Sequence, residues 1–315
     1  MLAELRSEIP PERTGAVLVD LHDGLADPGE AVVEKRASLP FVVVGVTHGA
    51  VDDRWLDLCD VTVAEGDAAL DRIAENVTDN PITAATLALL LRAQHQLSVG
   101  EGLVAESAAY SVLQSGPEFA AWRDTRPPRV DKDAAPRVRV TREDDLLSIT
   151  LARPERLNAL DAAMRDELVE ALTLATTASD IARVELRGEG RAFCAGGDLD
   201  EFGSRSDPAT AHLIRLQRSV GRAIFGLNKP TVTYLHGASM GSGIELAAFT
   251  DWVVAAADTQ IALPEIGLGL VPGAGGTVSL TRRIGRLRTA WLAFSGSTID
   301  ADTARTWGLV DELQP

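Results

Sequence analysis

Lysine is almost missing from this chain: Lys35, Lys132 and Lys229 are the only examples among 315 residues. Arginine therefore carries nearly all the positive charge, and acids still outnumber bases so far that the formal net charge is −16. That sign excludes nucleic acid as a partner, because phosphate backbones are held through a basic footprint. Any anionic ligand would need a local group of arginines. Cysteine is equally scarce, at Cys59 and Cys194. Two cysteines make neither a disulfide framework nor a metal-ligand spacing, so a reducing cytoplasm and a metal-free site are expected. No apolar run approaches the length of a membrane span. The first ten residues are mixed in charge and lack the apolar stretch of a signal peptide, so no membrane partner is expected.

What the chain has is glycine, concentrated in two short runs. Gly188-Glu-Gly-Arg-Ala-Phe-Cys-Ala-Gly-Gly-Asp198 and His236-Gly-Ala-Ser-Met-Gly-Ser-Gly-Ile-Glu245 each follow an apolar run and precede a helical pattern. Glycine lets such turns bring backbone N–H groups close to a ligand. The second run ends on Glu245, and Leu263-Pro-Glu265 delivers another glutamate twenty residues on. Two loops rich in N–H groups and two carboxylates suit a site that stabilises an oxyanion and moves protons.

These runs resemble the crotonase (enoyl-CoA hydratase/isomerase) superfamily. So do Leu151-Ala-Arg-Pro-Glu-Arg-Leu-Asn-Ala-Leu160, the run Pro264-Glu-Ile-Gly-Leu-Gly-Leu-Val-Pro-Gly-Ala-Gly-Gly-Thr277 and Gly308-Leu-Val-Asp-Glu312. The resemblance is continuous from about residue 138 to 314, with the motifs in family order. It implies an α/β fold, a crotonase-like spiral of ββα units, with an α-rich N-terminal segment. It further implies a hydratase adding water to a 2-enoyl-CoA thioester, with coenzyme A as part of the substrate and no separate cofactor. Carried over by motif, the N–H groups of Gly197 and Ser242 form the oxyanion hole, Glu245 activates water, and Glu265 protonates C2. Ala195, Arg153 and Asp198 are expected to bind substrate or CoA. Acids in Leu199-Asp-Glu-Phe202 stand where the family often has a basic residue for the CoA phosphates. Arg123, Arg126 and Arg156 are further expected contacts. The family usually forms trimers or pairs of trimers, so a homo-oligomer is expected. Isomerisation of the double bond, other acyl-CoA chemistry and non-catalytic acyl-CoA binding are the alternatives.

Other motif readings fail on the residues themselves. Gly237-Ala-Ser-Met-Gly241 has the form of a nucleophile elbow, but the last histidine is His236, ahead of Ser239, so the order serine, acid, histidine is impossible. Gly241-Ser-Gly243 lacks the third glycine of a dinucleotide fingerprint. Cys194 lies between Phe193 and Ala195 with no histidine following to activate it, and is expected to be buried filler.

Residues 1–127 are expected to be a degenerate crotonase-like and helical segment, 128–136 a proline-rich linker, and 137–315 the catalytic core. Helical spacing covers 68–77, 82–96 and 101–113, and this segment resembles the helices that normally end a crotonase. It is expected to cover the core. The strands expected over 16–20 and 41–46, with their His-Gly turn, echo the region 230–258. Either a decayed half of the fold or two unrelated strands would account for that echo. In the core, one helix is expected over 211–227 after a polar loop at 203–212, and another over 242–249.

Overall fold

The structure, a computed structural model, describes residues 15–22, 29, 34, 36–49, 51, 53–126, 135–204 and 207–314. Most of the expected linker, at 128–134, lies outside the described residues. The fold is α/β. The largest sheet has six strands, taken in spatial order: β12 (Glu312–Gln314), β9 (Trp252–Ala256), β7 (Thr231–Leu235), β6 (Arg183–Gly188), β5 (Leu146–Leu151) and β4 (Val138–Glu143). Only the β4–β5 hairpin is antiparallel. Its turn is made by Asp144 in the left-handed region, which aspartate tolerates better than most residues. A second sheet joins β8 (Ala238–Met240), β10 (Gln260–Ala262) and β11 (Ile299–Asp300). The chain steps from β7 into β8 through His236-Gly237, so one β-run feeds both sheets and leaves its glycine loop where they meet.

A third, all-parallel sheet holds β1 (Ala16–Leu21), β2 (Val42–Thr47) and β3 (Val61–Ala64), with the short helix α1 (Asp53–Leu58) between β2 and β3. The echo of the core is partial. Asp60 accepts a hydrogen bond from Val43 N at 2.8 Å, as Asp251 does from Thr231 N at 2.8 Å. None of the described residues here takes the place of β8, and α1 joins β2 to β3 as a parallel crossover.

Four helices follow: α2 (Ala69–Asp79), α3 (Pro81–Gln94), α4 (Val99–Gln114) and α5 (Pro117–Thr125). Proline at the first position starts α3, where a missing N–H costs nothing. Its next N–H groups are capped from afar, by the Glu118 carboxylate on Ile82 N and Thr83 N at 2.7 and 2.8 Å. A capping box, Ser98 with Glu101, starts α4 earlier than the expected residue 101. These helices pack on the core with no seam: one apolar cluster includes Val61, Ile73, Leu87 and Leu113 together with Val184, Ile244 and Phe294.

In the core, Asp161 caps α6 (Ala162–Thr177) by accepting from Met164 N at 2.7 Å. The helix expected over 211–227 is two helices, α7 (Pro208–Gln217) and α8 (Val220–Phe225). Ser219 divides them, because its hydroxyl accepts from Arg222 N and opens a new helix. Likewise α9 (Ser242–Ala247) stops short of residue 249: Phe249 N and Thr250 N turn back to Leu246 O and Ala247 O. Three further helices complete the core, α10 (Gly276–Ile284), α11 (Arg286–Ser295) and α12 (Ala301–Trp307). No helix among the described residues is long and apolar enough to cross a membrane.

The third sheet is tied to the helices through one buried anion. Asp60, 2 % exposed, accepts from Arg92 Nε and Nη2 at 2.9 and 2.7 Å and from Arg36 Nη2 at 2.5 Å. Burial alone would raise its pKa, but the bond from Arg92 and the two guanidinium charges outweigh burial and hold it below the ordinary value. Removing one partner of a buried ion pair strands the other, typically at about 3–5 kcal/mol. Asp60→Ala is expected to destabilise the protein by that amount in urea unfolding. A loss below about 1 kcal/mol would mean that the arginines find water instead.

Candidate active site

The first glycine loop is stitched in place by the segment that precedes α6. Leu157 and Asn158 both adopt positive φ, +52° and +54°. Asn158 uses its side chain on three backbone groups, accepting from Arg153 N and donating to Glu189 O and Ala192 O. Ala195 N then donates to Leu157 O, Leu160 N to Gly196 O, and Asp198 N to Leu160 O. In this short parallel ladder the N–H of Gly197 falls between two used groups and faces away from the pairing. Gly196, at φ +103°, makes the bend that only glycine adopts without strain.

The second loop lies along the first. Cys194 N donates to Ala238 O and Met240 N to Cys194 O. A side chain at Gly243 would meet Cys194 O at 2.5 Å, and one at Gly241 (φ +46°) would run into Glu265 Oε1. Ser242 is the first residue of α9, where an N–H has no partner within the helix. Neither Gly197 N nor Ser242 N meets an acceptor among the described residues. Both residues line one cavity of about 240 Å³, together with Glu245 and Glu265.

Glu245 and Glu265 are 2 % and 8 % exposed. Glu245 Oε2 accepts from Ala274 N at 2.7 Å and Gly276 N at 2.8 Å. Glu265 opens a short 3₁₀ turn, Glu265–Leu268, and its Oε2 has no partner among the described residues. A third carboxylate, Glu106 of α4, lines the same cavity. Glu106 Oε1 accepts from Gly275 N at 2.7 Å, and its Oε2 from Thr277 N at 2.9 Å and Thr277 Oγ1 at 2.6 Å. Sequence reasoning missed it: one glutamate on a helix carries no signal, and its partners lie 169 residues or more away.

The expected substrate-binding residues fare differently. Arg153 is 1 % exposed and its Nη1 donates to Asp198 Oδ2 at 2.6 Å, with Asp161 Oδ2 at 3.3 Å. It is a buried strut beneath the glycine loop, paired with two carboxylates. Asp198 reaches the cavity wall but is taken up by that pair. Ala195 is half-buried and lies outside the cavity lining. Arg123 is spent on Leu199 O and Asp200 O, while Arg126 and Arg156 stand half-exposed beside Asp200. Cys194 is buried, and burial pushes its thiol up to about 11, so it stays protonated filler. No group that could hold a metal occurs among the described residues.

Burial raises all three carboxylates. Glu106 goes to about 8, by burial and then by the charge of Glu245; Glu245 goes to about 7, by burial against two amide bonds that lower it. Glu265 is raised well above its ordinary value by burial and the Glu245 charge. A raised acid holds in the folded state a proton that the unfolded chain releases, so its contribution to stability falls as pH rises from the ordinary pKa to the raised one. The window here runs from about pH 4.5 to about pH 8. Glu106→Gln is therefore expected to lose less stability than the wild type between pH 5 and pH 8, read by urea unfolding at both ends. Equal slopes would contradict this account of Glu106.

Comparison with known proteins bears on the same half of the chain. Residues 141–315 match the family model described as enoyl-CoA hydratase/isomerase. The chain is similar to 2,3-dehydroadipyl-CoA hydratase of Escherichia coli K12, at 38% identity over 176 residues, 56% of this chain and 68% of that protein. It is similar to 1,2-epoxyphenylacetyl-CoA isomerase of the same organism at 35% identity, over 53% of this chain and 66% of that one. Among solved structures, the enoyl-CoA hydratase of Thermoplasma volcanium superposes with a TM-score of 0.54 at 36% identity, covering 57% of this chain and 72% of its own. The family model spans more than half of the chain and includes both glycine loops and both expected catalytic glutamates, so this chain belongs to the enoyl-CoA hydratase/isomerase (crotonase) family.

Proposed function

We propose that this protein hydrates 2-enoyl-CoA thioesters. The observation that carries the reading is the convergence of two unpartnered N–H groups, Gly197 and Ser242, with two buried carboxylates on one cavity wall. The N–H groups receive the thioester oxygen as it gains negative charge. Their effect is largest in a site closed to water, where removing one such donor typically costs roughly 3–4 kcal/mol of barrier.

The two glutamates divide the proton work by their surroundings. Two amides donate to Glu245, which favours its ionised form and suits a base. Glu265 Oε2 has no such donor and is pushed up by burial and by Glu245, which suits an acid. Glu245 removes a proton from water as its oxygen bonds to C3, the C2=C3 electrons move toward the thioester oxygen, and Glu265 delivers a proton to C2. Substrate and water are consumed one to one, and the 3-hydroxyacyl thioester forms. In the same reading, residues 66–127 close the site, since α4 supplies part of its wall.

Loss of the conjugated-thioester absorbance of crotonyl-CoA tests the reaction. The wild type is expected to turn over, and Glu245→Gln and Glu265→Gln each to lower kcat by about 10²–10⁴-fold. A wild type that leaves crotonyl-CoA intact but moves the double bond of a 3-enoyl-CoA would replace hydration with isomerisation. Deleting residues 1–127 is expected to abolish activity; an active, soluble truncation would remove α4 from the site.

A further inference from the structure

Three arginines line the cavity: Arg165, Arg215 and Arg218. Arg165 is paired with Asp166 at 2.8 Å, and Arg218 reaches the same carboxylate at 3.9 Å. Arg215, on α7, has no carboxylate within ion-pair distance among the described residues. Its acceptors are neutral: Nε donates to Ser107 Oγ at 3.2 Å and Nη2 to Ser107 O at 3.3 Å, with Ser111 Oγ a further partner. Its guanidinium lies over the ring of Tyr110, 4.6 Å from the centroid. Burial lowers its pKa, yet an arginine stays charged under all working conditions. The chain thus keeps a half-buried cation in the cavity wall without an ion pair among the described residues, although the charge of Glu106 in the same wall also acts on it.

Its position relative to the reacting groups is set by Tyr110. One edge of that ring packs against Gly273, so closely that a side chain there would meet Cδ2 at 2.5 Å. Gly273 leads directly into the amides of Ala274 and Gly276 that hold Glu245. The charges of Glu265 and Glu245 both act on Tyr110. The guanidinium therefore stands across one aromatic ring from the carboxylate site, inside the cavity. Its Nη1 carries no hydrogen bond to any described residue. A planar fork with a spare donor matches a carboxylate.

Resting on the hydratase reading above, we propose that the substrate's acyl group ends in a carboxylate, which Arg215 receives at the far side of Tyr110 from the reacting carbons. The substrate class is thus an ω-carboxy-2-enoyl thioester. The coenzyme's phosphates share that anionic chemistry, and the experiment separates the two sources.

The wild type is assayed with 2-hexenedioyl-CoA and with the analogue whose terminal carboxylate is a carboxamide, a pair that differs in charge and hardly in size. A hydrogen bond to a charged group typically contributes enough to change affinity about tenfold or more. The carboxylate is expected to give a kcat/KM at least about tenfold higher. Arg215→Met should shrink that ratio toward unity, while Arg215→Lys should keep part of it. Repeating the pair as phosphate-free pantetheine thioesters should preserve the preference; a preference that vanishes there would assign Arg215 to the coenzyme and overturn the proposal. Equal kcat/KM for the two acyl groups in the wild type would overturn it too, even if Arg215→Met fails to fold. Binding of the saturated ω-carboxy and ω-carboxamide thioesters, measured by calorimetry, separates this proposal from the reaction. Selective binding without turnover would refute hydration and leave the acyl class standing, and turnover without selective binding would do the reverse.

Discussion

Four successive amides, at residues 274 to 277, hold two buried carboxylates in alternation. Ala274 and Gly276 donate to Glu245, and Gly275 and Thr277 to Glu106. Burying a carboxylate costs several kcal/mol unless donors replace the lost water, and here one loop replaces it for two acids at once. The alternation needs a backbone that passes between the carboxylates without side chains. Gly276 touches Glu245 so closely that a Cβ would meet its Cγ at 2.5 Å, and Gly275 sits at φ +108°. Everything around the site follows from that clamp: the carboxylates stay, and the cavity closes over them.

The clamp also binds the N-terminal helices to the core. Glu106 belongs to α4, whereas its donors open α10. Around it, Gln94 donates to Thr277 Oγ1 at 3.0 Å, and Asn76 donates to Phe294 O at 2.9 Å. The N-terminal helices and the core thus share polar contacts as well as one apolar cluster. A helix held by the 274–277 loop lines the cavity as well as covering it.

Charge elsewhere is managed by the same rule. The arginines that carry nearly all the positive charge include several committed to buried carboxylates: Arg153 to Asp198 and Asp161, Arg92 and Arg36 to Asp60. A basic residue's nearness to a glycine loop in the sequence does not show such a commitment. Arg215 differs because serines and a tyrosine ring, all neutral, hold it in place.

The sequence alone was enough to recognise the family, because its signals are local: glycines at positive φ, a strand ahead of each loop, and glutamates at fixed spacing from them. Helix starts were legible wherever proline or a side-chain cap sat at the boundary, as at Pro81 and Asp161. They were misread where a single serine, Ser219, divided one apolar pattern into two helices. Only tertiary structure decided the rest. Whether Arg153 meets a ligand or a carboxylate, whether Glu106 belongs to the site, and which arginine keeps its charge unpaired all depend on residues far apart in the chain. Burial and hydrogen-bond partnership are properties of the folded environment, and no residue's identity or spacing encodes them by itself.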